Sequence, residues 1–131
     1  AYLLDGGNIK FSASTLPFIG TAVVRILEKP KETENKLLYI HSLYVTQLEV
    51  LAALEKVTGD QFERFDEDSE EGLKKCRPKM LEGDHDAGEE VVAIWGVVAA
   101  DWKKREAFAN DLLGLKEEDL DEVVQRVVKD L

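Results

Sequence analysis

Apolar positions recur at helical spacing soon after the N-terminus, and boundary signals stand on both sides of them. Thr15 is placed to cap a helix, Pro17 falls in its first turn, and Pro30 interrupts the pattern. The apolar positions follow the period of one helix face and predict its buried stripe: Ile19, Ala22, Val23, Ile26 and Leu27.

A second helix is marked at both of its ends. Thr46 and Glu49 form a capping box, and Gly59 stands where a helix C-cap is expected. Between them the apolar residues again recur every three to four positions. The expected buried stripe consists of Val50, Leu51, Leu54 and Val57.

The second half of the chain is predicted to be mostly helical. Asp68 and Glu71 form another capping box, which opens a helix that Pro78 should kink or end. Further helices are expected over residues 87–102 and over residues 117–129, the latter with acidic side chains in its first turn.

Three short segments are predicted as strands or extended pieces. Residues 9–12 alternate after a turn-prone stretch, residues 61–65 alternate more weakly, and residues 37–40 form a continuous apolar run. Such a run is typical of a strand that is buried on both faces of a parallel sheet. Two or three strands are too few for a doubly wound sheet, so we expect residues 37–40 to complete a sheet begun elsewhere. The fold class is α/β with few short strands.

Charge narrows the classes of partner. The 131 residues contain 27 acidic and 17 basic side chains, for a net charge of -10, and residues 60–90 alone hold 12 acids and 5 bases. A surface this acidic repels phosphate backbones and anionic lipid, so we expect neither a nucleic-acid partner nor a membrane partner. The longest apolar run has ten residues, about half of what a membrane-spanning helix needs.

Few residues suggest catalytic or metal chemistry. The glycines fit neither a dinucleotide fingerprint nor a P-loop, and the spacing of Asp84, Asp86 and Glu89 fails as a calcium loop. We predict no metal site. His41 and His85 fall in expected loops without a nearby carboxylate or thiol to complete a site, and Cys76 is expected to be a small buried hydrophobic residue. A single cysteine fits a reducing compartment, so we expect a cytoplasmic protein.

Residues 91–100 form a segment that is apolar around its whole circumference. A surface helix needs only one apolar stripe, so this helix should bury a second side against something else. A partner domain, a second copy in a homodimer and a small apolar ligand remain open as occupants. Gly96 weakens the helix by about 1 kcal/mol relative to Ala, and close approach of a neighbour would explain its presence.

Several stretches together carry a resemblance to a known family: residues 7–12, 19–27, 35–40, 46–49 with 58–59, 110–115 and 118–124. On these stretches the chain resembles the C-terminal part of NmrA-like proteins, the isoflavone reductase-like branch of the atypical short-chain dehydrogenases, and especially their fungal members. No single motif is diagnostic, but the series is ordered and similarly spaced. One departure is Phe18, where the family usually has an acid.

This resemblance implies a fold, a cofactor and an activity. Residues 1–59 would end a Rossmann-type sheet region, and residues 60–131 would form a mostly helical substrate-binding lobe. The NADPH loop and the catalytic lysine of the family belong to an N-terminal half that this sequence does not contain, and Ala1 in place of Met agrees with a longer chain. No catalytic or cofactor-binding residue is therefore assigned. Residues on the helix around Trp95 are expected to contact the substrate: Val92, Trp95, Gly96 and Ala99.

Two functions follow as expectations. The first is the substrate-side portion of an NADPH-dependent reductase that acts on a small apolar or aromatic molecule, inactive without its N-terminal half. The second is a redox-sensing regulator of the NmrA type, which binds a dinucleotide without turnover and docks on a protein partner.

Overall fold

The computed structural model describes residues 1–130 as an α/β chain with short strands and longer helices. The strands are β1 (Tyr2–Leu4), β2 (Phe11–Ala13), β3 (Leu43–Val45) and β4 (Phe65–Glu67). The helices are α1 (Leu16–Glu28), α2 (Pro30–Thr33), α3 (Gln47–Thr58), α4 (Ser69–Leu81), α5 (His85–Val98), α6 (Asn110–Leu113) and α7 (Leu120–Lys129). Two 3-10 turns lie at Asp5–Gly7 and Trp102–Lys104.

The strands pair in two separate ribbons. β1 pairs with β4 in parallel, with Leu3 opposite Asp66, and β2 pairs with β3 in antiparallel orientation, with Ser12 opposite Tyr44. Ribbons of two strands are marginal by themselves. Packing against α3 and α7 therefore has to supply much of their stability, and Leu43, Val45 and Val123 form one buried cluster there.

The segment expected to be a doubly buried strand, residues 37–40, is not a strand in this chain. Only Tyr39 forms a bridge, parallel to Phe108, and the Leu37 side chain is 69% exposed. The apolar run has no second neighbouring strand in the described part of the chain, so one of its edges stays open. Pairing of residues 37–40 with a strand outside this sequence stays a prediction.

Most helix boundaries agree with the capping signals. Thr15 caps α1, the Thr46 and Glu49 capping box opens α3, and Gly59 ends α3 in the left-handed conformation. Asp68 caps α4 by accepting from the Glu71 N–H. None of these helices is long and apolar enough to cross a membrane, judged over the described residues.

Three helix extents differ from the predictions. α4 continues past Pro78 to Leu81, because Pro78 lies so near the C-terminal end that little of the hydrogen-bond ladder is lost. α5 ends at Val98 rather than residue 102, and α7 begins at Leu120 rather than residue 117.

The buried face of α1 is also shifted from the predicted stripe. Phe18 and Ala22 are buried with Leu113 of α6, whereas Ile19 and Val23 are exposed. The shift arises because the segments around residues 38–40 and 109–115 pack on the Phe18 side of the helix. Phe18, the departure from the family pattern, is therefore a core residue.

Candidate functional site

Helix α5 presents an apolar face that is largely exposed in the described part of the chain. Val92, Trp95, Gly96 and Ala99 stand at the spacing of one helix face, and all four are exposed, with Val92 at 68% and Trp95 at 46%. The opposite side is buried through Val91 and Ile94. The buried and the exposed side of this segment are thus both apolar, and the four candidate residues share the exposed side; burial of that side against a partner or ligand stays a prediction.

Helices α4 and α5 form a hairpin, and a glycine sets how closely they pack. A Cβ on Gly72 of α4 would lie 2.8 Å from Cδ1 of Ile94, so the isoleucine occupies the space that a side chain would need. Gly96 is different, because a Cβ there would meet no described atom within 4 Å. Close packing within this chain explains Gly72, but it does not explain Gly96.

Open grooves run along both sides of the hairpin. One, of about 630 Å³, includes Met80, Gly88 and Val92 among its lining residues. The other, of about 490 Å³, follows α4 and is lined by Glu70, Leu73, Lys74, Arg77, Pro78 and Leu81. Both grooves are predominantly apolar, and neither is enclosed by the residues described here.

Arg77 connects the second groove to the candidate face. Its guanidinium carbon lies 5.8 Å from the centre of the Trp95 ring, at the distance of a cation–π contact. No carboxylate in residues 1–130 forms an ion pair with Arg77, although the molecule is acidic overall. The groove therefore has a cation beside an exposed aromatic ring.

A second cluster, centred on His41, was missed in the sequence. His41 is fully buried, with its Nδ1 at 2.8 Å from the Ser12 hydroxyl and its Nε2 at 3.0 Å from the Glu117 carboxylate. The expectation that no carboxylate stands near His41 is wrong, because the fold brings together residues 29 and 76 positions away from it. The periodicity of apolar residues predicts local helices and strands, but it does not predict contacts between residues so far apart in the sequence.

The cluster superficially matches a serine, histidine and acid arrangement for nucleophilic catalysis. Since a carboxylate only accepts, Nε2–H donates to Glu117, and in the neutral imidazole Nδ1 then accepts from the Ser12 hydroxyl. The same hydroxyl oxygen accepts the Trp102 N–H at 3.1 Å, and Ser12 is buried. No groove described here is lined by Ser12, so the trio joins β2, the segment before β3 and the segment before α7 rather than offering a nucleophile.

The acidic member of this cluster should make stability depend on pH. Hydrogen bonds from His41 and Lys103 lower the pKa of Glu117 below its ordinary value of 4.5. A lowered pKa gives stability that is present above the unfolded value and is lost as pH falls through the folded value.

We therefore expect Glu117→Gln to unfold at lower urea concentration than the unsubstituted protein at neutral pH, with the gap closing as pH falls well below 4.5. Urea denaturation at a series of pH values measures this difference. Glu106→Gln is the matched control, because Glu106 is exposed and has no ion-pair partner in the described chain. If the difference in urea midpoint stayed constant down to acid pH, the ionised Glu117 carboxylate would not be the group that stabilises the fold.

Cys76 and the acidic residues offer no further site. Cys76 is buried, as expected, and a hydrogen bond with Glu90 together with burial raises the pKa of its thiol. A raised pKa disfavours the reactive thiolate. Over residues 1–130, no group of three His, Cys, Asp or Glu side chains is arranged to hold a metal ion.

The described residues do not fit a dinucleotide. Gly6 and Gly7 adopt positive φ angles inside the 3-10 turn after β1, and strand β2 follows that turn instead of a helix N-terminus. Asp5, beside them, accepts hydrogen bonds from the Ser69 hydroxyl and N–H. This turn therefore does not lead into a helix N-terminus, the usual binding site of a pyrophosphate group.

Known proteins match the chain over almost all of its length. It is 35% identical over 141 aligned residues to the oxidoreductase poxI of Penicillium oxalicum, covering 98% of this chain and 43% of that protein. It is 29% identical over 133 residues to the oxidoreductase aprR of Aspergillus flavus, covering 98% of this chain and 44% of that protein. No protein-family model and no solved structure matches.

These matches confirm the expected similarity to fungal proteins and show that the chain spans less than half of the curated relatives. The NmrA-like assignment within that similarity stays a prediction.

Proposed function

We propose that this chain is the substrate-side portion of an NADPH-dependent oxidoreductase of the NmrA-like type, and that its substrate is a small apolar or aromatic molecule. The observation that carries the proposal is the exposed apolar face of α5, in a chain similar to part of two proteins named oxidoreductases. Residues 1–59 would complete the cofactor-binding domain, and residues 60–131 would form the substrate lobe. The buried, unpaired Cys76 supports a cytoplasmic location.

The candidate substrate contacts are Val92, Trp95, Gly96 and Ala99. An indole ring can stack on an aromatic substrate, and Val92 adds apolar surface beside it. The absence of a side chain at Gly96 leaves open space in the middle of this face. These residues would bind and orient the substrate and exclude water from it, while the cofactor is held elsewhere.

The proposal has a second part, that a strand from the remaining half of the protein pairs with the open edge of residues 37–40. Tyr39 donates its N–H to Ala107 and accepts from the N–H of Ala109. Strand alternation points the backbone groups of Leu38 and Ile40 to the other side. Within residues 1–130 those groups form no hydrogen bond, so the edge can accept a further strand.

Helix α1 supports the same docking. Leu16, Ile19, Val23 and Leu27 lie on one exposed face without a charge between them, and Leu16 is 83% exposed. An apolar row of this extent is unusual on an isolated surface. The buried Phe18 side of α1 packs near Leu38, so the same helix lies next to residues 37–40 and turns its apolar row toward the surface.

The decisive measurement is steady-state NADPH oxidation by the intact protein with a panel of aromatic carbonyl compounds. Trp95→Ala should raise KM about tenfold with little change in kcat, because it removes apolar contact that is equal in the ground and transition states. Val127→Ala is the control, since Val127 is an exposed apolar residue of α7 outside the described grooves.

The outcome also separates the two candidate functions. An intact protein that binds NADPH without oxidising it against any member of the panel would support the regulator that docks on a protein partner. An intact protein with no NADPH binding would overturn both.

A further inference from the structure

We propose that the groove along α4 binds the carboxylate of an aromatic acid, with Arg77 as the anion-binding residue and Trp95 as the ring contact. This inference rests on the proposed function, because it assigns a chemical class to the substrate of the same face. It adds an anionic group to a ligand so far described only as apolar or aromatic.

The guanidinium carbon of Arg77 lies 5.8 Å from the centre of the Trp95 ring. This distance places the whole guanidinium group beside the indole. Its N–H donors lie in the plane of the group, and a carboxylate accepts from two of them at once. An anion that binds these donors would therefore lie next to the Trp95 ring.

The charges around the groove leave Arg77 as the excess cation. Glu70 and Lys74 pair with each other, with 3.8 Å between Oε2 and Nζ, whereas no acidic side chain of the described chain pairs with Arg77. The net charge of -10 repels anions from the protein as a whole. A cation without an ion-pair partner can still attract an anionic ligand over a short distance.

The rest of the groove suits the apolar part of such a ligand. Leu73, Pro78 and Leu81 line it beside the two cations, and its volume of about 490 Å³ lies within the range of small-molecule sites. Leu81 is 79% exposed, so this apolar surface is uncovered in the described chain. An aromatic ring and a carboxylate a few atoms apart match the spacing of Trp95 and Arg77.

The test is a binding titration of the intact protein, labelled with 15N at tryptophan, with 3-phenylpropionate and the neutral 3-phenylpropionamide. The indole N–H signal of Trp95 should shift on titration, whereas that of Trp102, which stacks on Tyr39, should stay in place. We expect the acid to bind about tenfold more tightly than the amide, because only the acid forms a charge-assisted hydrogen bond with Arg77.

Arg77→Gln should remove that preference, because it should lower the affinity for the acid about tenfold and leave the affinity for the amide unchanged. Arg77 is exposed, so the substitution leaves the core intact. Lys79→Gln removes the same charge from the other side of α4 and should leave the preference unchanged.

Equal affinity for acid and amide, an unchanged preference in Arg77→Gln, or no shift of Trp95 with either probe overturns the inference. NADPH is absent from this titration. A protein that distinguishes the probes but does not oxidise NADPH contradicts the proposed function and leaves the carboxylate site standing.

Discussion

His41→Ala is expected to lower the free energy of unfolding by about 3 kcal/mol, the sum of a lost buried hydrogen-bonded group and the cavity that it leaves. The imidazole bonds both Ser12 and Glu117 and packs on Phe108, with 4.7 Å between ring centres. Its own backbone N–H and C=O are held by the Asn110 side chain, so the segment cannot simply collapse into the space. Urea or thermal denaturation followed by circular dichroism measures the change.

His85→Ala is the matched control for this prediction. His85 is exposed at the start of α5, and its removal should change stability by less than about 0.5 kcal/mol. Similar losses in the two variants would mean that the buried network around His41 contributes little, and that the interpretation of the Ser12, His41 and Glu117 contacts is wrong.

Local signals predicted the helices better than the strands. The caps at Thr15 and Thr46 and the left-handed Gly59 depend on neighbouring residues, and a sequence displays neighbours directly. β1 and β3 have three residues each, which is too short to show a periodic pattern, and they gain their stability from distant partners. The sequence therefore did not predict them. The run at residues 37–40 has the composition of a buried strand, but strand formation needs partners that the described chain does not supply.

The two candidate clusters differ in the same way. Val92, Trp95, Gly96 and Ala99 lie within two turns of one helix, so their common face follows from helix geometry alone. The Trp95 contact with Arg77 needs the α4–α5 hairpin, and the His41 cluster needs three segments that meet only in the fold. Long-range polar contacts of this kind lie beyond a single sequence.

Ile94→Ala is expected to destabilise the protein by about 3 kcal/mol, because Ile94 is 3% exposed and fills the space above Gly72 in the α4–α5 hairpin. Denaturation curves measure the loss. Val92→Ala, two positions earlier on the exposed face of α5, should change stability by less than about 0.5 kcal/mol, which separates packing of the hairpin from its apolar outer surface.

The cavity left by Ile94→Ala should be filled in part by Gly72→Ala. In the unsubstituted protein the new methyl group meets Ile94 Cδ1 at 2.8 Å, so the gain in helix propensity of about 1 kcal/mol is offset by the clash. In the Ile94→Ala background the clash is gone, and Gly72→Ala should restore about 1 kcal/mol or more. The two substitutions should therefore couple in a double-mutant cycle, and strictly additive effects would contradict the packing that holds the Trp95 face in position.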